Sequence, residues 1–105
     1  MGDRIQIISL NVRGLGSKIK RRKIFTWLHK QDISVKLLQE SHSTEKIENQ
    51  WRAEWGGQVY YSHGASNARG VAVLFKPNIK NFEVFATYSG ADGMLLVMDL
   101  SINDT

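Results

Sequence analysis

The sequence predicts an α/β domain built on a mixed β-sheet, and three observations carry that expectation. The run "RIQIISL" at 4–10 is nearly continuous in apolar character, the pattern of a strand covered on both faces. An amphipathic basic stretch at 18–31 separates it from a second strand-like run at 33–40, and a right-handed crossover makes two such strands parallel. From residue 58 the chain reads as four further strands, 58–62, 70–76, 81–88 and 94–101, divided by the turn-forming segments "HGASNAR", "PNIK" and "SGADG". A β-α-β start followed by a meander implies a mixed sheet with helices on its outer face.

Taken in order, "NVRGLGS" (11–17) is a loop in which Gly14 and Gly16 permit tight turns and Ser17 can cap the following helix. At ~100° per residue, Ile24, Phe25, Trp27 and Leu28 share one face of helix 18–31, with Arg22, Lys23, Thr26 and Lys30 opposite. A second helix is expected over 45–55, with Thr44 as its cap and Glu45 in its first turn. Ile47, Trp51 and Trp55 recur at helical spacing and read as core, and Gly56-Gly57 ends the helix.

The 105 residues are enough for one domain and no more, and a hydrophobic content of 42% argues against a disordered chain. The absence of cysteine excludes disulfides, thiol catalysis and cysteine-ligated zinc. No run approaches the ~20 apolar residues of a membrane span, and Met1–Arg4 does not open a signal peptide, so an intracellular domain, nuclear or cytoplasmic, is expected. Asn103-Asp104-Thr105 matches a glycosylation sequon by chance on this reading. The net charge of +4 is uneven: Arg4, Arg13, Lys18, Lys20, Arg21, Arg22, Lys23 and Lys30 precede the first acidic side chain after Asp3, which is Asp32. A basic first third suits a polyanionic partner. A solvated helix face and a nuclear-import signal are the other readings of KIKRRK.

The stretch "VKLLQESH" (35–42) turns from apolar to polar with no turn-forming residue, as a strand does when it delivers a side chain to a site. Parallel first and second strands emerge on one sheet edge, where sites in open α/β sheets lie. With strands ~4.8 Å apart, the Asn11 amide and Glu40 carboxylate can reach one ligand. One carboxylate beside a neutral amide suits Mg²⁺ that keeps several waters, with Mn²⁺ as a substitute. An ion pair of Glu40 with Arg13 or Lys36 is the bland alternative. Other motifs fail. "GLGSK" lacks the first P-loop glycine, "GLG" lacks the third glycine of a dinucleotide fingerprint, and the three histidines have no metal-ligand spacing. Ser41-His42 and Ser62-His63 bring no identifiable acidic partner for a triad.

"ISLNVRGLGSKIKRRKIFTWLHKQDISVKLLQESH" followed by "WGGQVYYSHGASNARGVAVLFK" resembles the start of an endonuclease/exonuclease/phosphatase-superfamily domain. Within it the chain looks most like the endonuclease domain of LINE-type non-LTR retrotransposons, which is similar to exonuclease III and AP endonucleases. The paired S-L-N-x-x-G-L and L-Q-E-[ST]-H motifs and the R-G-V-A-V-L run carry the likeness over roughly 4–101. It implies a four-layer, DNase I-like α/β sandwich, of which 1–105 is the N-terminal half of the domain, and Mg²⁺-dependent phosphodiester hydrolysis of DNA. It implies that Glu40 binds metal, that Asn11 orders the metal and phosphate site, and that Lys20, Arg21, Asn67 and Arg69, with Arg13 beside them, contact DNA. It also implies further partners in a full-length protein: the remainder of the endonuclease domain and a reverse transcriptase.

Arg13 stands where AP endonucleases of the superfamily have an aspartate, which favours the transposon branch over DNA repair. The N-x-Y-A-P, G-D-F-N and S-D-H motifs do not occur in these residues, so the chain alone is expected to be inactive. A non-catalytic nucleic-acid-binding module and a phosphatase of the same superfamily are the alternatives. The chain is also expected to hold strands for one sheet only, leaving the apolar inner side of 71–75 and 94–100 uncovered.

Overall fold

The β-α-β unit forms as the apolar periodicity requires, with boundaries a few residues tighter. The computed structural model describes residues 5–65, 67–79, 82–90 and 93–102. Arg4 and Asn81, expected to begin strands, parts of the three turns (Ser66, Lys80, Ala91, Asp92) and the sequon at 103–105 lie outside the described residues. The elements are β1 (Ile7–Asn11), α1 (Lys18–Lys30), β2 (Val35–Gln39), a 3-10 turn (Glu45–Ile47), α2 (Glu48–Trp55), β3 (Val59–Ser62), β4 (Val71–Phe75), β5 (Phe82–Ser89) and β6 (Leu96–Ile102). Ser17 caps α1 as expected, its hydroxyl accepting from the Lys20 amide. Gly56, at φ 82°, ends α2 in a left-handed conformation. Thr44 stands before the 3-10 turn, but its side chain makes no capping bond.

β1 pairs parallel with β2, β2 antiparallel with β4, and β4 antiparallel with β3, giving the order β1-β2-β4-β3. The sheet is therefore mixed, as expected. Strict alternation sends Lys36 and Leu38, Ala72 and Leu74, and Val59 to one side. There both helices pack, through Phe25 and Leu28 of α1 and Trp51 and Trp55 of α2. Trp55 is the centre of this layer. Its indole N–H donates to the Phe75 carbonyl at 2.8 Å, His29 stacks on it at 3.9 Å, and Phe25 meets it edge-on at 5.6 Å.

The strands after β4 do not extend the sheet. β5 and β6 make a separate antiparallel pair, with a bulge between Val84 and Ala86. Phe82, Leu96, Met98, Leu100 and Ile102 of that pair pack on Val35, Val73 and Phe75 from the opposite side of the sheet. This corrects the expectation of a single sheet with an open inner side: Phe75 is completely buried and stacks on Phe82 at 4.7 Å. The layers are helices, four-stranded sheet and hairpin. Apolar exposure falls instead on the hairpin and the turn before β6, at Phe85, Tyr88, Met94, Leu95 and Val97, on α1, at Ile19 and Trp27, and at and before β1, at Ile5 and Ile7.

Two charged side chains lie within the helix layer. Lys36 is 1% exposed, and burial pushes its ammonium below the usual lysine range. Its Nζ lies 5.2 Å from the Trp55 ring centre, a cation–π contact that recovers part of the lost hydration. Trp27, expected on the core face of α1, is 46% exposed. The buried stripe is Arg21, Phe25 and Leu28, at i, i+4 and i+7, and Trp27 falls on its flank.

Loss of water on the face stacked against Trp55 lowers the His29 pKa below its ordinary 6.5. A group with a depressed folded pKa stabilises above its unfolded pKa, and that contribution fades as pH falls through the folded value. The melting temperature is expected to decline from about pH 6.5 downward. His29→Phe, which keeps the stack and removes the titration, flattens that decline; equal slopes for both proteins would show that His29 does not contribute.

Candidate functional site

The polar run after β2 is ordered because both of its neighbours hydrogen-bond to it. Pairing between β1 and β2 reaches Asn11 and Gln39 and continues past both strand ends. The amides of Val12, Gly14 and Leu15 donate to the carbonyls of Gln39, Glu40 and Ser41 at 3.0, 2.6 and 3.0 Å. On the other side, the amides of Ser41 and His42 donate to the carbonyls of Gly70 and Arg69 at 2.9 and 2.7 Å. Thus the loops 11–17, 40–44 and 63–70 meet at one edge of the sheet.

Two glycines make that convergence possible. Gly14 has φ 90°, and a Cβ there would lie 2.5 Å from His42 Nδ1. Gly70 has φ 97°, and a Cβ there would lie 2.7 Å from Ser41 Oγ. The glycine of L-N-V-R-G and that of A-R-G-V are therefore both seats for the Q-E-S-H segment, which accounts physically for the three motifs occurring together.

Glu40 has φ 53°, and Arg13, His42 and Arg69 in the same three loops are also at positive φ. Such non-glycine residues are uncommon and cost roughly 1–2 kcal/mol each, and their clustering points to a site. The Asn11 side chain sets the local geometry. Its Oδ1 accepts the Arg13 amide at 3.1 Å, so its Nδ2 is turned to the Glu40 carboxylate, to which it donates. The Asn11 amide thereby orients Glu40, leaving the carboxylate exposed with acceptor capacity to spare. The ion-pair alternative is not realised among the described residues. Lys36 lies inside the helix layer, and no described cation pairs with Glu40.

The basic residues divide. Arg13 is exposed, and its carbonyl accepts from Lys20 Nζ at 3.1 Å, which holds Lys20 beside the Asn11 turn. Asn67 is exposed in the 63–70 loop, and Arg69, at φ 63°, is exposed where that loop docks on His42. Arg21 does not belong with them. It is 3% exposed, its guanidinium donates to the carbonyls of Leu15 (2.9 Å) and Gly16 (3.3 Å), and it holds Glu54 at 2.5 and 3.0 Å. The planar fork serves α2 and the 11–17 loop and is not available to a phosphate. Its place at i−4 from Phe25 was the signal in the sequence.

One arrangement escaped sequence reasoning because its members are far apart in the chain. His63 joins Ser43 Oγ (3.0 Å, through Nδ1) to Glu48 (2.5 Å, through Nε2), and Ser41 Oγ donates to Ser43 Oγ at 3.2 Å. This is the connectivity of a serine–histidine–acid triad, but Ser43 is completely buried. No substrate reaches its hydroxyl, and the relay ties the loop after Glu40 to the start of α2.

No family model matches the chain. It is similar to a transposon-encoded protein of Xenopus laevis, the transposon TX1 uncharacterized 149 kDa protein, with 32% identity over 92 residues, or 88% of this chain. The chain spans about 7% of that relative's length. Among the described residues no helix is long and apolar enough to cross a membrane, and no three acidic, histidine or cysteine side chains cluster as a metal site.

Two expectations follow. Glu40→Gly relieves the left-handed conformation, so stability is expected to stay level or rise by up to ~1 kcal/mol. A loss of more than that in a denaturant titration would make Glu40 a structural residue. Arg21→Met is expected to cost about 2 kcal/mol, below the usual range for a broken buried pair because Glu54 is partly exposed. In DNA titrations it is expected to leave the salt dependence unchanged, whereas Lys20→Gln is expected to lower the magnitude of the log K against log salt slope by about 1; a slope altered by Arg21→Met at intact fold would return Arg21 to the candidate DNA contacts.

Proposed function

We propose that the loops at this sheet edge form part of the active site of a Mg²⁺-dependent phosphodiesterase that nicks DNA, within a transposon-encoded protein. The single observation that carries the reading is Glu40. It is an exposed carboxylate in a strained conformation, aimed by the Asn11 amide, where three loops converge. Strain of that kind persists where surroundings impose it, and a hard cation needs an oxygen donor held in this way. The similarity to a transposon protein supports the setting.

The donor set fits one ligand of Mg²⁺, not a complete site. Glu40 would hold the ion, Mn²⁺ substituting, with water or groups outside these residues filling the other positions. Bound there, the metal would offset charge on a phosphoryl oxygen. The chain's own part is positional. Asn11 fixes the carboxylate, and Arg13, Lys20, Asn67 and Arg69, on or beside the converging loops, would offer groups suited to backbone phosphates. Activation of a water and protonation of the leaving group require groups beyond Asn11 and Glu40. On this reading Asn11 and Glu40 supply one part of a nuclease site, and turnover by these residues alone is not expected.

Glu40→Gln keeps shape and removes charge, so Mg²⁺ or Mn²⁺ affinity is expected to fall at least tenfold, on the order of 1.4 kcal/mol. Calorimetric titration checks this, and matching isotherms for the two proteins would sink the metal reading. Plasmid nicking in Mg²⁺ by the 105-residue chain should be undetectable; nicking that survives Glu40→Gln would place the chemistry elsewhere.

A further inference from the structure

The outer flank of α1 carries a feature that the metal edge does not use. Ile19, Arg22, Lys23, Thr26, Trp27 and Lys30 lie at i, i+3, i+4, i+7, i+8 and i+11, one face of the helix, and line an open depression of about 450 Å³. A second groove, about 430 Å³, joins it through Lys23 and Trp27 and runs past Ile24 and Lys20 to Leu10 and Asn11. Both volumes lie in the range of small-ligand sites. The indole of Trp27 is therefore shared by both depressions, at 46% exposure, whereas Trp51 and Trp55 are 2% and 1% exposed. α1 contains no acidic residue, and no described carboxylate pairs with Arg22, Lys23 or Lys30.

We propose that this flank is a binding track for single-stranded nucleic acid, with Trp27 stacking on an unpaired base and Arg22, Lys23 and Lys30 following the phosphates. Charge complementarity selects the occupant: a row of unneutralised cations faces a polyanion, and counterion release drives its binding. The isolated aromatic selects the strandedness. A duplex keeps its base faces stacked internally, while a single strand offers them to an indole, at any sequence. An acidic amphipathic peptide would want a continuous apolar trough, and here Ile19 and Trp27 are interrupted by Arg22, Lys23 and Thr26. The groove's far end reaches Asn11, so a strand lying in it passes beside the Glu40 edge.

The test uses the 105-residue chain in EDTA, so that it does not depend on the metal reading. A labelled 12-nucleotide oligo-dT and a 12-base-pair duplex are titrated by anisotropy, with Trp27 fluorescence followed in parallel. Trp27→Ala is expected to weaken oligo-dT binding at least fivefold and to leave duplex binding within twofold, with Trp27→Phe recovering most of the loss. Oligo-dT should quench the wild-type indole and shield it from acrylamide, a result that needs no variant. Unchanged oligo-dT affinity in Trp27→Ala, equal losses for both nucleic acids, or shielding by an acidic peptide but not by oligo-dT would each overturn the proposal.

Discussion

The structure turns on the segment 39–42, held on both sides by backbone hydrogen bonds after its strand has ended. Five such bonds, from Val12, Gly14, Leu15, Ser41 and His42, secure it. At a net ~1 kcal/mol each they supply about 5 kcal/mol. Left-handed conformations at Glu40 and His42 cost about 2–4 kcal/mol together. The sum is favourable by a small margin, which explains how a carboxylate can be kept in a disfavoured geometry without a dedicated turn residue. Substituting either seating glycine removes the clearance that the segment needs and forfeits the bonds beside it.

The helix layer supports that edge from behind. Arg21 links α1 to Glu54 on α2 and to the carbonyls of Leu15 and Gly16, so one guanidinium joins the two helices to the loop bearing Asn11. The Arg21 guanidinium, bonded to Glu54, holds that carboxyl below the usual range, so the tie persists at neutral pH and loosens as acid protonates Glu54. From the other side, the Ser43–His63–Glu48 relay fixes the chain just beyond Glu40. The site is positioned by polar ties on two sides, each made by a residue that a motif search would read as chemistry.

What could be read from the sequence was local or governed by handedness. Apolar periodicity locates β1, α1 and β2, and the right-handed crossover alone sets the ends of β1 and β2, with Asn11 and Glu40, side by side. Pairings among later strands depend on which face is already covered, and no period in the chain encodes that. Hence β5 and β6, legible as strands, were assigned to a meander when they form a layer of their own. Arg21 and Trp27 show the same limit within one helix. Trp27, at the margin of the apolar arc, turns out to be half exposed, while Arg21, expected at DNA, lies in the middle of that arc and is buried. The tie to Glu54 and two carbonyls compensates the charge, so phase prevailed over hydrophobicity.

That inversion redistributes charge. With Arg21 neutralised inside and Lys20 held at the Arg13 carbonyl, the cations left unengaged on α1 face away from the core, along the flank. The sheet edge by contrast presents the Glu40 carboxylate. Under the proposed function, a phosphate drawn to the flank would be repelled from Glu40 until a cation sat there, so metal and nucleic acid would favour one another at the edge though each bound separate groups. Linkage would make that coupling reciprocal: whatever factor the metal added to phosphate affinity at this edge, the phosphate would add to metal affinity. Under the proposed function, a metal held by this one carboxylate would bind more weakly without nucleic acid than with it.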